Sequence, residues 1–178
     1  MSTFRRVVTG HDARGRSIIA SDQRISGSVL PGTPGIELTT LWCSDRTMRY
    51  PDSGAAPTLA PWFPPIGGFR LAEFIVPPDA AAADTAANPA ASVAETNRRF
   101  PGLLDTMDAA RPGMHRSATI DLLYVLSGRV ILELDDGSMT ELREGDVAVQ
   151  SGTMHAWRNP FDGPCRVLGV LIGAELQR

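Results

Sequence analysis

The sequence predicts an all-β fold: a jelly-roll barrel of two antiparallel sheets, filling the second half of a single-domain chain and extended by strands from the first half. Three observations lead there. From Gly113 onward, short apolar or alternating segments follow one another with only brief polar connections between them. Asp135-Asp136-Gly137 is a hairpin turn signal between two such segments. No helical period interrupts the series, which argues against a parallel α/β sheet. A chain of 178 residues gives room for one sizeable core, so the domain is taken as 1–178.

The elements read as follows. Val7-Val8 and Ile18-Ile19 flank a glycine-bounded polar turn, and Ile36 to Trp42 forms a further strand after the run Pro31-Gly32-Thr33-Pro34-Gly35. Residues 51–68 are loop, because prolines at that density do not sit in a central strand. Phe69 to Val76 is a strand stopped by Pro77-Pro78. These pieces make an N-terminal strand extension over 1–78. An Ala-rich insertion, loop and helix, occupies 79–110. Its start, 79–98, offers few anchoring side chains and is expected to be the least ordered interior stretch. Over 92–110 the signal is helical: Ser92 and Glu95 stand at capping-box spacing, and Phe100, Leu103, Leu104 and Met107 recur at helical intervals, with Pro101 starting or interrupting the helix.

The barrel core is expected over 112–173. Ile120 to Leu126 is largely apolar, and Arg129 to Leu134 alternates with Val130, Leu132 and Leu134 on one face. Met139 to Leu142 returns after the hairpin turn, and Val147 to Gln150 follows the turn Arg143 to Asp146. His155 to Trp157 is a short strand, and Cys165 to Ile172 closes the set.

Composition narrows the function. Seventeen Lys and Arg stand against twenty Asp and Glu, with no block of like charge, so nothing points to nucleic acid. No apolar run reaches membrane-spanning length, and the N-terminal stretch lacks the apolar core of a signal peptide; a cytoplasmic protein is expected. The two cysteines, Cys43 and Cys165, have no metal-type spacing and do not make a disulfide framework.

Of three histidines, His11 lies in a polar loop, whereas His115 and His155 each stand at a strand edge beside a glycine turn. Strand alternation places Ser117 and Asp121 on the face of His115, and Trp157 on the face of His155. Two imidazoles and a carboxylate on convergent inner faces are ligands for a divalent transition ion (Zn, Fe, Mn or Ni) with positions left open for substrate. Hydrogen bonding of each His to an Asp or Ser is the other explanation. Tyr124 and Trp157 are candidate walls for a bound cofactor or ligand, or else core packing.

The residues that follow carry a family resemblance. In GDVAVQSGTMHAWRN, Gly145, Gly152, His155 and Asn159 fall in register with the second motif of the cupin superfamily. In GMHRSATIDLLYVLSG, His115 and Gly128 fall on the first motif, Ser117 stands where that motif has its second histidine, and Asp121 where it has glutamate. The second half thus resembles a small conserved-barrel cupin. The opening RRVVTGHDARGR is similar to that of a subgroup of small bacterial and fungal cupins. The resemblance implies an RmlC-like double-stranded β-helix, a small-molecule ligand, a homodimer to which N-terminal strands contribute, and a metal site drawn from His115, Asp121 and His155. Three functions stay open: metal-assisted chemistry on a small organic molecule (oxygenation, decarboxylation or isomerisation), a non-catalytic binding module with a degenerate metal site, and an assembly or storage role. A substituted ligand set favours the second, and the fold accommodates all three.

Overall fold

The computed structural model describes residues 2–33, 35–58, 61–82 and 89–176. Among these residues, eleven strands, two helices and a 3-10 turn follow in order. β1 (Thr3–His11) and β2 (Ser17–Ser26) form a two-stranded hairpin. β3 (Ser28–Val29), β4 (Glu37–Ser44), β5 (Phe69–Val76), β6 (Thr119–Ser127), β9 (Val147–Ser151) and β11 (Cys165–Gly173) make a six-stranded sheet in the order β3-β4-β5-β11-β6-β9. β7 (Arg129–Leu134), β8 (Met139–Arg143) and β10 (His155–Arg158) make a three-stranded sheet, β10-β7-β8. All named pairings are antiparallel.

The double-sheet, all-β expectation therefore stands, with one correction: among the described residues the two ladders stay separate and do not close into a continuous barrel. Apart from a backbone bridge between His115 and His155 at one end, apolar side chains join the sheets. Leu123 and Val125 of β6, Val130 of β7, and Cys165 and Val167 of β11 form the buried core, with Phe74, Leu142, Ala148 and Trp157 packed on it. Each such side chain contributes about 1.5–3 kcal/mol of burial. Both cysteines are buried free thiols, and burial pushes the Cys165 thiol up to about 11. At the β6–β7 corner Gly128 has φ 82° and sits so close to the Pro164 carbonyl that a side chain would collide with it.

The β6 sequence shows how register is fixed. Thr119, Asp121, Leu123 and Val125 are buried, while Ile120, Leu122 and Tyr124 are exposed between them. A slip of one residue would exchange the two sets.

The proline-rich loop is held by a buried cation. Arg70 is only 2% exposed. It donates to the carbonyls of Trp62, Ser44, Phe69 and Pro61 and pairs with Asp45. Further along β5, Glu73 is 1% exposed and pairs with Arg166 of β11 at 2.6 Å.

The insertion differs from expectation in where its helices lie. α1 is Asp79–Ala82, and α2 is Pro89–Arg99; residues 83–88, part of the stretch expected to be least ordered, lie outside the described residues. α2 begins at Pro89, a residue preorganised for a first helical turn, so Ser92 is inside the helix rather than capping it. It ends before Pro101, since a residue preceding proline is driven out of helical geometry. The expected helix to residue 110 is thus replaced by turns and the 3-10 segment Leu104–Thr106. Phe100 packs edge-on against Trp62, ring centroids 5.3 Å apart. No helix among the described residues is long and apolar enough to cross a membrane.

Candidate functional site

The two sheets meet at their polar end through His115 and His155. Met107, His115 and His155 form successive antiparallel bridges. His115 N–H donates to the His155 carbonyl at 2.8 Å, and His155 N–H returns a bond to the His115 carbonyl at 3.0 Å. This backbone pair fixes the imidazoles side by side, centroids 4.2 Å apart at 52°. His155 is 3% exposed.

The tautomers follow from the neighbours. Nδ1 of His115 lies 3.0 Å from the Gly113 carbonyl oxygen, and Nδ1 of His155 lies 2.9 Å from that of Thr153. A carbonyl oxygen can only accept, so each Nδ1 carries the proton and each Nε2 presents a lone pair. No hydrogen bond is made at either Nε2 among the described residues. Burial lowers the pKa of His115. Burial, and then the neighbouring His115, lower that of His155 to about 4. Both rings are neutral at pH 7. An imidazole whose far nitrogen is anchored to a backbone carbonyl is oriented as metal-ligating histidines are.

Asp121 is also buried, 7% exposed, and its Oδ1 has no hydrogen-bond partner among the described residues. Burial pushes its carboxyl up to about 6, with the Thr119 hydroxyl acting in the opposite sense. The Ser117 hydroxyl, standing where the cupin motif has a histidine, is bonded to Thr119 Oγ1 at 2.7 Å. Ser117, Thr119 and Asp121 thus form a polar strip along one face of the strand. Gln150, opposite Asp121 in the β6–β9 register, is turned to Thr153 Oγ1 at 2.5 Å.

The structure brings His115 and His155 together but does not gather Asp121 with them. Among the described residues, no three His, Cys, Asp or Glu side chains stand close enough to hold a metal ion jointly. The reason is topological: Asp121 lies within β6, between β9 and β11, whereas His115 bridges to β10 of the other sheet. The imidazoles are paired with no third ligand of these kinds beside them among the described residues. Trp157 stands edge-on to His155 at 5.7 Å and 6.4 Å from Phe74, packed against the core. Tyr124 is 44% exposed on the outer face, opposite to where a pocket wall would be; its even position on β6 decides this. Asn159 is fully buried and structural: Nδ2 donates to the Val76 and Gly163 carbonyls, and Oδ1 accepts from Phe161 N–H. The flanking arginines are engaged, Arg116 with the Gly152 carbonyl and Arg158 with Glu133. Thr119 and Gln150 are further site neighbours that the motifs do not single out, although strand parity from Asp121 and Ala148 is enough to find them.

Residues 106–171 match the Cupin_2 family, described as a cupin domain. Through this segment, 66 of the 178 residues, the chain is similar to the cupin superfamily. It is similar to oryzines biosynthesis cluster protein J of Aspergillus oryzae, with 42% identity over 57 residues, 32% of each chain. It is also similar to the cupin-domain-containing oxidoreductase srdB of Neurospora crassa, with 37% identity over 71 residues, 39% of this chain and 36% of that one. The matched segment thus spans about a third of the length of these curated relatives. Among solved structures, a Cupin 2 conserved barrel domain protein from Salinispora arenicola aligns over 78% of this chain and 76% of its own, at 18% identity and TM-score 0.41.

Proposed function

We propose that this protein acts on a small organic molecule bound at the His115–His155 end of the space between the sheets. The observation that carries the proposal is the paired, neutral imidazoles, each anchored at Nδ1 and each without a partner at Nε2 among the described residues. His115 and His155 orient the molecule through those lone pairs, and Trp157 supplies an apolar wall. A divalent ion of the Zn, Fe, Mn or Ni kind, held by the same two nitrogens, would polarise an oxygen of the ligand. The printed name of the Neurospora crassa relative, an oxidoreductase, supports turnover over binding alone. The second reading, a binding module without turnover, draws its support from Ser117, whose hydroxyl is spent on Thr119. The test is elemental analysis of the purified protein, before and after supply of each metal, with His155→Ala alongside. Metal retained by wild type and lost from a folded His155→Ala supports the enzyme reading. A wild type that refuses all four metals moves the conclusion to the binding module, and metal retained by His155→Ala places the site elsewhere.

The same reading includes a homodimer. Its support is the outer face of β6, β9 and β11, where Ile120, Leu122, Tyr124, Val147, Val149 and Ile172 are each at least 41% exposed. Register sets Leu122 beside Val149, Tyr124 beside Val147 and Ile120 beside Ile172, so the patch is continuous. Faces of this kind mark association surfaces. The expected N-terminal contribution to the dimer becomes secondary to this sheet face.

A further inference from the structure

The β1–β2 hairpin roofs a cavity that the histidine pair does not line. It is fastened to the body at both ends. At its open end Ser2 N–H donates to Glu37 Oε2 at 3.1 Å, and Gly27 sits hard against Thr39. At its tip His11 N–H donates to the Asp52 carbonyl at 2.7 Å, and Gly10 packs on the Ser53 backbone so closely that a side chain would collide with it. Alternation along β1 turns Phe4, Arg6, Val8 and Gly10 toward the sheet. Between these two fastenings a cavity of about 710 Å³ lies over the outer face of the large sheet, a size suited to a small organic ligand. Val8, Trp42, Met48 and Leu71 give it mainly apolar walls.

Two charged groups line it without a counter-ion among the described residues: Arg6, and at the hairpin tip Asp52, whose Oδ1 accepts from Gly54 N–H. Arg6 stacks its guanidinium on Trp42, Cζ 5.1 Å from the ring centroid, and spends Nη1 on the Leu41 carbonyl at 3.1 Å. Its Nε is buried and has no partner among the described residues. Arg5, also in its lining, is neutralised by Asp22. Among the described residues, four buried side-chain atoms are left without partners, and Arg6 Nε is the one whose residue lines this cavity. Buried polar atoms are nearly always satisfied, so this donor marks a missing partner. The unused Nε edge of a guanidinium is the edge that grips a carboxylate through two parallel hydrogen bonds.

We propose that the cavity under the β1–β2 hairpin is a second ligand site, taking a small organic carboxylate with an apolar body: the carboxylate on the Nε edge of Arg6, the body against Trp42, Val8 and Leu71. The opening RRVVTGHD, which the histidine site does not use, gains a role here. It supplies both the anion-binding arginine and the residues that pin the roof.

The test is titration of the full chain with 2-naphthoate, followed by calorimetry and Trp fluorescence, against its uncharged analogue 2-naphthamide. Saturable binding of the carboxylate is expected, at least tenfold weaker for the amide and at least tenfold weaker in Arg6→Gln. Leu71→Trp, which fills the cavity and leaves Arg6 in place, abolishes it even if Arg6→Gln should fold poorly. His155→Ala leaves it unchanged, which separates this site from the histidine pair. No saturable binding to wild type, equal binding of acid and amide, or loss of binding in His155→Ala would overturn the proposal. So would a dimer that Arg6→Gln dissociates with no naphthoate bound, since that assigns the guanidinium to a carboxylate of a second copy.

Discussion

Asp121→Asn is expected to stabilise the metal-free protein at neutral pH, by an amount that depends on pH. The Asp121 carboxyl is 7% exposed, and its Oδ1 has no partner among the described residues. Burial holds its pKa at about 6, against an ordinary value of 3.8. The folded state therefore binds the proton more tightly than the unfolded chain does. Below pH 4 both states are protonated and the carboxyl is nearly neutral in its effect. As pH rises through 6, the folded state must ionise a buried acid that the unfolded chain has already ionised in water. Stability then falls by about 1.36 kcal/mol for each pH interval between the two pKa values, about 3 kcal/mol in all by pH 8. Asparagine keeps the shape and cannot ionise. Urea unfolding of wild type and Asp121→Asn in the presence of a chelator, at intervals from pH 4 to 8, measures this directly. The difference in unfolding free energy should grow in favour of the variant across pH 4–6 and level off above about 7. A constant difference across that range, or a variant that loses ground as pH rises, would show that Asp121 is paired in the folded protein and refute the reasoning.

Three further outcomes follow from the same geometry. His155, with its pKa lowered to about 4, takes up a proton in the unfolded chain before it does so in the fold; its contribution is complete above about pH 6.5 and lost as pH falls toward 4, so His155→Gln should flatten the acid limb of a stability–pH curve. Val130 is fully buried in the intersheet core, and Val130→Ala should cost about 2 kcal/mol in urea unfolding; a loss within error of zero would place the core elsewhere. Leu122→Lys should convert a dimer into a species sedimenting near the 19.1 kDa of one chain, and an unchanged mass would remove the β6–β9–β11 face from the interface.

The parts of this protein that are legible in its sequence are those whose signal is local. Alternation places Val130 inward, and Asp135-Asp136-Gly137 marks the β7–β8 hairpin, because side-chain parity and turn chemistry are settled within a few residues. The same parity, applied from Asp121 rather than from Tyr124 itself, puts Tyr124 outside. The helix expected from Ser92 to 110 shows a weaker local signal overruled: Pro89 and Pro101 set its ends more strongly than the capping-box spacing does. What cannot be read locally is the pairing of distant segments. Arg70 and Glu73, on opposite faces of β5, are buried charges whose partners Asp45 and Arg166 come from elsewhere in the chain. The hairpin over 3–26 carries its inward Arg6 for a cavity whose floor is made by Trp42 and Leu71. At the histidine site the two motifs place His115 and His155 on one inner surface, and the backbone bridge joins them. The separation of Asp121 depends on which sheet each strand joins, and strand parity does not contain that information.

The chemistry proposed for this protein rests on the two neutral imidazoles of His115 and His155. Imidazole ¹⁵N NMR of the metal-free protein at pH 7, followed through addition of Zn²⁺, tests it most directly. Both residues are expected to be Nδ1-protonated with a free Nε2, and both Nε2 resonances should move together on Zn²⁺ addition while those of His11 do not. Nε2-protonated rings, or a Zn²⁺ response confined to His11, would contradict it.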